Sequence, residues 1–94
     1  MLDWTDRAPA ATFDLHGQSV LDAVTNVERF LQVQSKARRG AVVRIITGRG
    51  RSGGRAPIRS RVRTLLLRLK EGGKIVQDFA LEETEGSYIV RLRG

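Results

Sequence analysis

Ninety-four residues, 40% of them hydrophobic, suffice for one compact domain with a modest core. The chain has no cysteine, which excludes disulfide and thiolate-metal frameworks, and no apolar run near the ~18 residues of a membrane span. Seventeen Lys and Arg against ten Asp and Glu leave a formal +7, and between Arg38 and Lys70 stand ten arginines, one lysine and no acid. A field so localised points to phosphate polyanions as partners.

Residues 1–11 predict a flexible lead-in, and the folded domain is expected over residues 12–94. This N-terminus lacks a basic-then-apolar signal pattern, so a soluble cytoplasmic protein with no membrane partner is expected. "ATFDLH" alternates, with Phe13 and Leu15 on one face and Asp14 and His16 on the other, which predicts a strand ended by Gly17. "SVLDAVTNVERFLQVQSKA" predicts a helix. Val20, Val24, Val27 and Leu31 share a face that Ala23 and Phe30 widen, and Ser19 with Asp22 resembles a capping box. Arg38, Arg39 and Gly40 suit its C-terminus.

"AVVRII" is a β-branched run and predicts a second strand. The loop "TGRGRSGGRAP" leads into a second helix from Pro57, with a stripe of Ile58, Val62, Leu65, Leu66 and Leu69; Leu67 falls outside it. "EGG" stops that helix, and "KIVQDFAL" and "SYIVRLR" follow as strands joined by an "EETEG" turn. The expected fold is therefore α/β: a two-layer β-α-β-α-β-β sandwich, with two helices on one face of a mixed four-stranded sheet. Its first two strands should be parallel neighbours and its last two antiparallel.

Gly48-Arg49-Gly50-Arg51-Ser52-Gly53 is a G-x-G-x-x-G between a strand and a helix, and Asp78 lies about 25 residues further on. The chain is too short for the two halves of a dinucleotide-binding fold, and the predicted helix starts several residues after the motif. A Walker A loop is excluded because no Gly-Lys-Ser/Thr follows. The loop suits a phosphate approached by glycine backbone and clamped by Arg49, Arg51 and Arg55. Arg59 and Arg63 extend that positive edge, whereas Arg61 and Arg68 suit snorkelling beside the apolar stripe.

If the first two strands are parallel, their C-terminal ends share one sheet edge, the usual ligand edge of open α/β sheets. The only histidine, His16, then meets Asp14 and the arginine loop. Three roles are open to it. It can cap the turn at Gly17 as a structural residue. It can be a metal ligand, although one His and one Asp make a poor transition-metal site; Asp14 can hold a hydrated Mg²⁺. It can be a general acid/base moving the proton of a water or ribose 2′-OH, with Arg49 or Arg51 stabilising charge on the phosphorane-like transition state. Asp14 then either orients His16 or binds the metal.

These residues resemble the Smr (small MutS-related) domain family. Its Leu-Asp-x-His motif is similar to Phe13-Asp14-Leu15-His16-Gly17, and its Thr/His-Gly-x-Gly motif to Thr47-Gly48-Arg49-Gly50. Its Leu-Arg-x-x-Val is similar to Ile58-Arg59-Ser60-Arg61-Val62, and its Gly-x-x-x-Val-x-Leu to Gly86-Ser87-Tyr88-Ile89-Val90-Arg91-Leu92. The resemblance covers about residues 12 to 93. It implies a fold similar to the C-terminal domain of translation initiation factor 3, and nucleic-acid binding, often with endonuclease activity on DNA or RNA. It also implies Asp14 and His16 as the catalytic pair, with Thr47, Gly48, Arg49 and Gly50 around the scissile phosphate. "RSGGRAP" is longer than the family's usual step into the helix.

The leading expectation is an endonuclease cleaving phosphodiester bonds in RNA or structured DNA, by hydrolysis or transesterification. The alternative is a non-catalytic nucleic-acid-binding or ribosome-binding module using the same basic edge. Trp4, Phe13, Phe30, Phe79 and Tyr88 are mostly placed for the core, so phosphate and shape recognition are expected over base stacking.

Overall fold

A computed structural model of the chain describes residues 3–48, 55–84 and 86–94, with backbone alone for residues 55 and 56. The strands are β1 (Ala11–Asp14), β2 (Val42–Ile46), β3 (Val76–Leu81) and β4 (Ser87–Leu92). The helices are α1 (Val20–Ala37) and α2 (Arg55–Gly72). The sheet order is β1-β2-β4-β3. β1 runs parallel to β2, with Phe13 beside Ile45 and Asp14 beside Ile46. β4 is antiparallel to both neighbours, with Ser87 beside Ile46 and Val90 beside Phe79. The expected parallel and antiparallel pairs are both present.

The helices form where the sequence caps them. Ser19 Oγ accepts the Asp22 N–H at 3.2 Å, and Asp22 adds negative charge to the first turn of α1. The reach of α2 differs from expectation, because it starts at Arg55 rather than Pro57. Proline within the first turn removes only an N–H that has no intrahelical acceptor, so the helix extends back past it. Gly73, at φ +70°, ends α2 by donating to the Leu69 and Lys70 carbonyls.

Both helices cover one face of the sheet and pack on each other. The residues that meet them are Leu15 after β1, Val43 and Ile45 of β2, Val76 of β3, and Tyr88, Val90 and Leu92 of β4, every one nearly inaccessible. From the helices come Ala23, Val27 and Leu31, then Ile58, Val62, Leu65 and Leu66. Val20, Val24 and Leu69 sit at the margin of this core, and Leu67 is half-buried. Phe13 stacks on Phe30, with centroids 5.1 Å apart, and fastens the β1 edge to α1.

The opposite face is partly covered as well. Trp4–Asp6 form a single 3-10 turn that contacts β4, capped by Asp3 and Asp6 in a reciprocal box. Pairing with β2 also reaches back to Ala10, whose N–H donates to the Val42 carbonyl at 2.7 Å, so the sheet starts ahead of residue 12. Among the described residues, no helix is long and apolar enough to cross a membrane.

Candidate functional site

Parallel pairing brings the C-terminal ends of β1 and β2 to the same sheet edge, and the antiparallel β4 starts there too. Leu15 N–H donates to the Ile46 carbonyl at 2.9 Å, so the register continues past Asp14. His16 and Gly48 therefore leave neighbouring strands, which lie about 4.8 Å apart in a sheet, at matching positions.

The turn after β1 is built from its own residues. Asp14 Oδ1 accepts the backbone N–H of His16 at 2.9 Å, a local bond that fixes where His16 leaves the strand. Leu15 O accepts the Gln18 N–H at 3.1 Å, and Gly17 between them takes φ +80°, a conformation that a side chain would strain. Gln18 Oε1 accepts from Asn26 Nδ2 at 2.9 Å and ties this turn to α1. Asp14 thus positions His16 through its main chain. Among the described residues, no group of three or more His, Cys, Asp or Glu is arranged to hold a metal.

The turn after β2 rests on β4. The Gly86 carbonyl accepts the N–H groups of Thr47 and Gly48, both at 2.9 Å. Thr47, only 1% exposed, directs its hydroxyl to the Gly48 carbonyl at 3.1 Å and the Gly86 carbonyl at 3.5 Å. A threonine can be buried here because carbonyl acceptors are within reach of its O–H. Gly48 takes φ +83°, a conformation that favours glycine. Arg49, Gly50 and Arg51 lie outside the described residues, as does the side chain of Arg55 at the start of α2.

Arg59 is half-buried and Arg63 exposed on the early turns of α2. Both guanidinium groups are within electrostatic reach of Tyr88, two residues beyond Gly86. Burial pushes the Tyr88 phenol above its usual range, and Arg63 and Arg59 pull it partly back. The two cations thus stand on the same side of the molecule as the Thr47–Gly48 turn. The N-termini of α1 and α2 open at this edge too and add partial positive charge.

Sequence reasoning missed the network that supports the edge. On the sheet face opposite the helices, Arg44 grips Glu82 through Nε–Oε1 at 2.7 Å and Nη2–Oε2 at 3.0 Å. Ser87 Oγ donates to Glu82 Oε1 at 2.6 Å. The hydrogen bonds from Arg44 chiefly, and from Ser87, hold the Glu82 carboxyl below the usual carboxylate range against the opposing effect of burial. This cluster fastens the β3–β4 turn across β4 to β2, and Gly86 sits in that turn. Beside it a cleft of about 410 Å³ is lined by Arg44, Ile46, Gly48, Glu82, Thr84, Gly86 and Ser87. The available signal was Arg44 itself, a charge in an otherwise β-branched strand.

No curated protein matches the chain. The family model of the Smr domain matches residues 13–93, which include the His16 turn, the Thr47–Gly48 turn and Gly86. Nearly the whole chain is matched, and the chain belongs to the Smr domain family, a family of nucleic-acid-binding modules.

Proposed function

We infer that the chain is an endonuclease that cleaves phosphodiester bonds in RNA or structured DNA at the edge formed by His16 and the Thr47–Gly48 turn. The observation that carries this reading is the convergence of those two turns, from neighbouring parallel strands, beneath two helix N-termini. A phosphate at that edge meets positive potential from the helix dipoles, Arg59 and Arg63. Arg49, Arg51 and Arg55 add guanidinium forks that match its oxygens.

In the reaction, an oxygen of water or a ribose 2′-OH forms the new bond to phosphorus and gives its proton to His16. The bond to the leaving oxygen breaks, and that oxygen takes up a proton. Charge on the phosphorane-like transition state is stabilised by Arg49 and Arg51. Asp14 is a positioning residue through its bond to the His16 N–H, and its carboxylate suits a hydrated Mg²⁺ beside the phosphate. Thr47 and Gly48 shape the phosphate turn from within, since their donors engage the protein's own carbonyls. The β-α-β-α-β-β order supports likeness to the C-terminal domain of translation initiation factor 3, and that likeness makes the ribosome a candidate partner.

The internal engagement of Thr47 and Gly48 favours one competing reading, a module that binds nucleic acid without cutting it. Cleavage of end-labelled single-stranded RNA and of a branched DNA by wild type and His16→Ala, each with Mg²⁺ and with EDTA, separates the two. Cleavage that disappears in His16→Ala supports the endonuclease. Cleavage of neither substrate, or equal cleavage by both proteins, supports the binding module. Loss of activity in EDTA alone assigns Asp14 to a cation.

A further inference from the structure

α1 and α2 both start at the edge that carries His16 and Gly48, and both finish at the opposite edge. There, the end of α1 and the residues after α2 enclose a groove of about 660 Å³ lined by Gln32, Ser35, Lys36, Arg39, Lys74 and Ile75. Three of these six residues are cations and none is an acid. Lys36, Arg39 and Lys74 are all exposed, and among the described residues none is in an ion pair. Cations nearby behave otherwise: Arg68 pairs with Glu28 and Lys70 with Asp78.

A helix C-terminus favours a nearby cation, which accounts for Lys36 in the last turn of α1. It does not account for three cations from two segments around one concavity, where their mutual repulsion is unfavourable until an anion enters. Between the groove and the His16 edge, α2 exposes Arg61 and Arg63, also without ion pairs among the described residues. Positive charge thus stands at both ends of the helical side of the molecule, with the Arg68–Glu28 and Lys70–Asp78 pairs between.

We propose that this groove is a second phosphate contact for the same nucleic acid that is held at the His16 edge. The proposal rests on the nucleic-acid reading above and extends it to substrate length. The 18 residues of α1 rise about 27 Å at roughly 1.5 Å each, which sets the distance between the two contacts. One strand of a duplex carries a phosphate about every 3.4 Å, so bridging takes about eight nucleotides. The preferred ligand is a duplex of at least that length, not a mononucleotide or dinucleotide.

The test is fluorescence anisotropy with labelled duplexes of about 4 and about 20 base pairs, at several salt concentrations. Wild type is compared with Lys36→Ala/Arg39→Ala/Lys74→Ala, its folding checked by circular dichroism. The triple variant is expected to bind the long duplex roughly tenfold or more weakly, with its log–log salt slope reduced by about 2.7, and the short duplex unchanged. If the triple variant does not fold, each single substitution is expected to lower the slope by about 0.9 on the long duplex alone. An unchanged slope, or equal weakening of both lengths, overturns the groove while leaving the His16 edge intact. Binding of neither duplex by wild type overturns the groove, and failure to bind the single-stranded RNA and branched DNA as well overturns the nucleic-acid reading with it.

Discussion

Removing the Glu82 carboxylate tests whether the β3–β4 turn holds the phosphate edge in place. Glu82→Gln takes away the charge that receives two hydrogen bonds from Arg44 and one from Ser87. Hydrogen bonds to charged groups contribute about 1.5–3 kcal/mol. The Arg44 side chain is 35% exposed and that of Glu82 23%, so solvent screening reduces the pair to about 1–2 kcal/mol. For a domain of this size that lowers the melting temperature by roughly 4–16 °C. A urea double-mutant cycle with Arg44→Met and Glu82→Gln should give a coupling energy of about 1 kcal/mol. The same pair sets a pH dependence. Glu82 has a folded pKa below its unfolded value, so its stabilisation is fully present above that unfolded value, about 4.3, and is lost as pH falls through the folded one. In Glu82→Gln this part of the acid destabilisation should vanish. Cleavage should fall with nucleic-acid affinity nearly unchanged, because Gly86 loses its anchor while the arginines remain. A coupling energy near zero, or an acid limb identical to wild type, would refute the reasoning.

Leu66→Ala, in the middle of the core, should lower stability by about 2–5 kcal/mol in urea melts, since the side chain is fully buried. Gly17→Ala should cost about 1–3 kcal/mol from φ +80° alone, because a β-carbon there meets no atom within 4 Å; Gly17→Asn should cost less. Arg59→Ala and Arg63→Ala should each reduce the salt slope of nucleic-acid binding by about 1. Together they should move the Tyr88 phenol further up, which ultraviolet titration of this single tyrosine reads directly.

Periodicity made the elements legible. Alternation at Phe13 and Leu15, the β-branched run of β2 and the apolar stripes of both helices are local patterns, and the crossover rule then places β1 beside β2. Position in space was harder to read. Arg44 and Glu82 are 38 residues apart, and no local pattern links an arginine in one strand to an acid after another. Pro57 suggested a helix start, yet α2 begins at Arg55, because a proline in the first turn breaks no hydrogen bond. Thr47 reads as a phosphate ligand in its motif. Its burial follows from the Gly86 carbonyl, which only the antiparallel pairing of β2 with β4 brings near. The pattern left two roles for Asp14, orienting His16 or binding a metal, and no sequence pattern indicates the bond from the His16 main-chain N–H to Asp14 Oδ1.

The central claim is that His16 performs chemistry at an edge that binds nucleic acid without it. Single-turnover cleavage and anisotropy, measured on one labelled RNA with protein in excess of its Kd, test both halves together. The account predicts that His16→Ala keeps its affinity within about threefold and loses cleavage by about 10²–10⁴-fold, the usual contribution of a general acid/base. A variant that cuts as fast as wild type at saturation would contradict it.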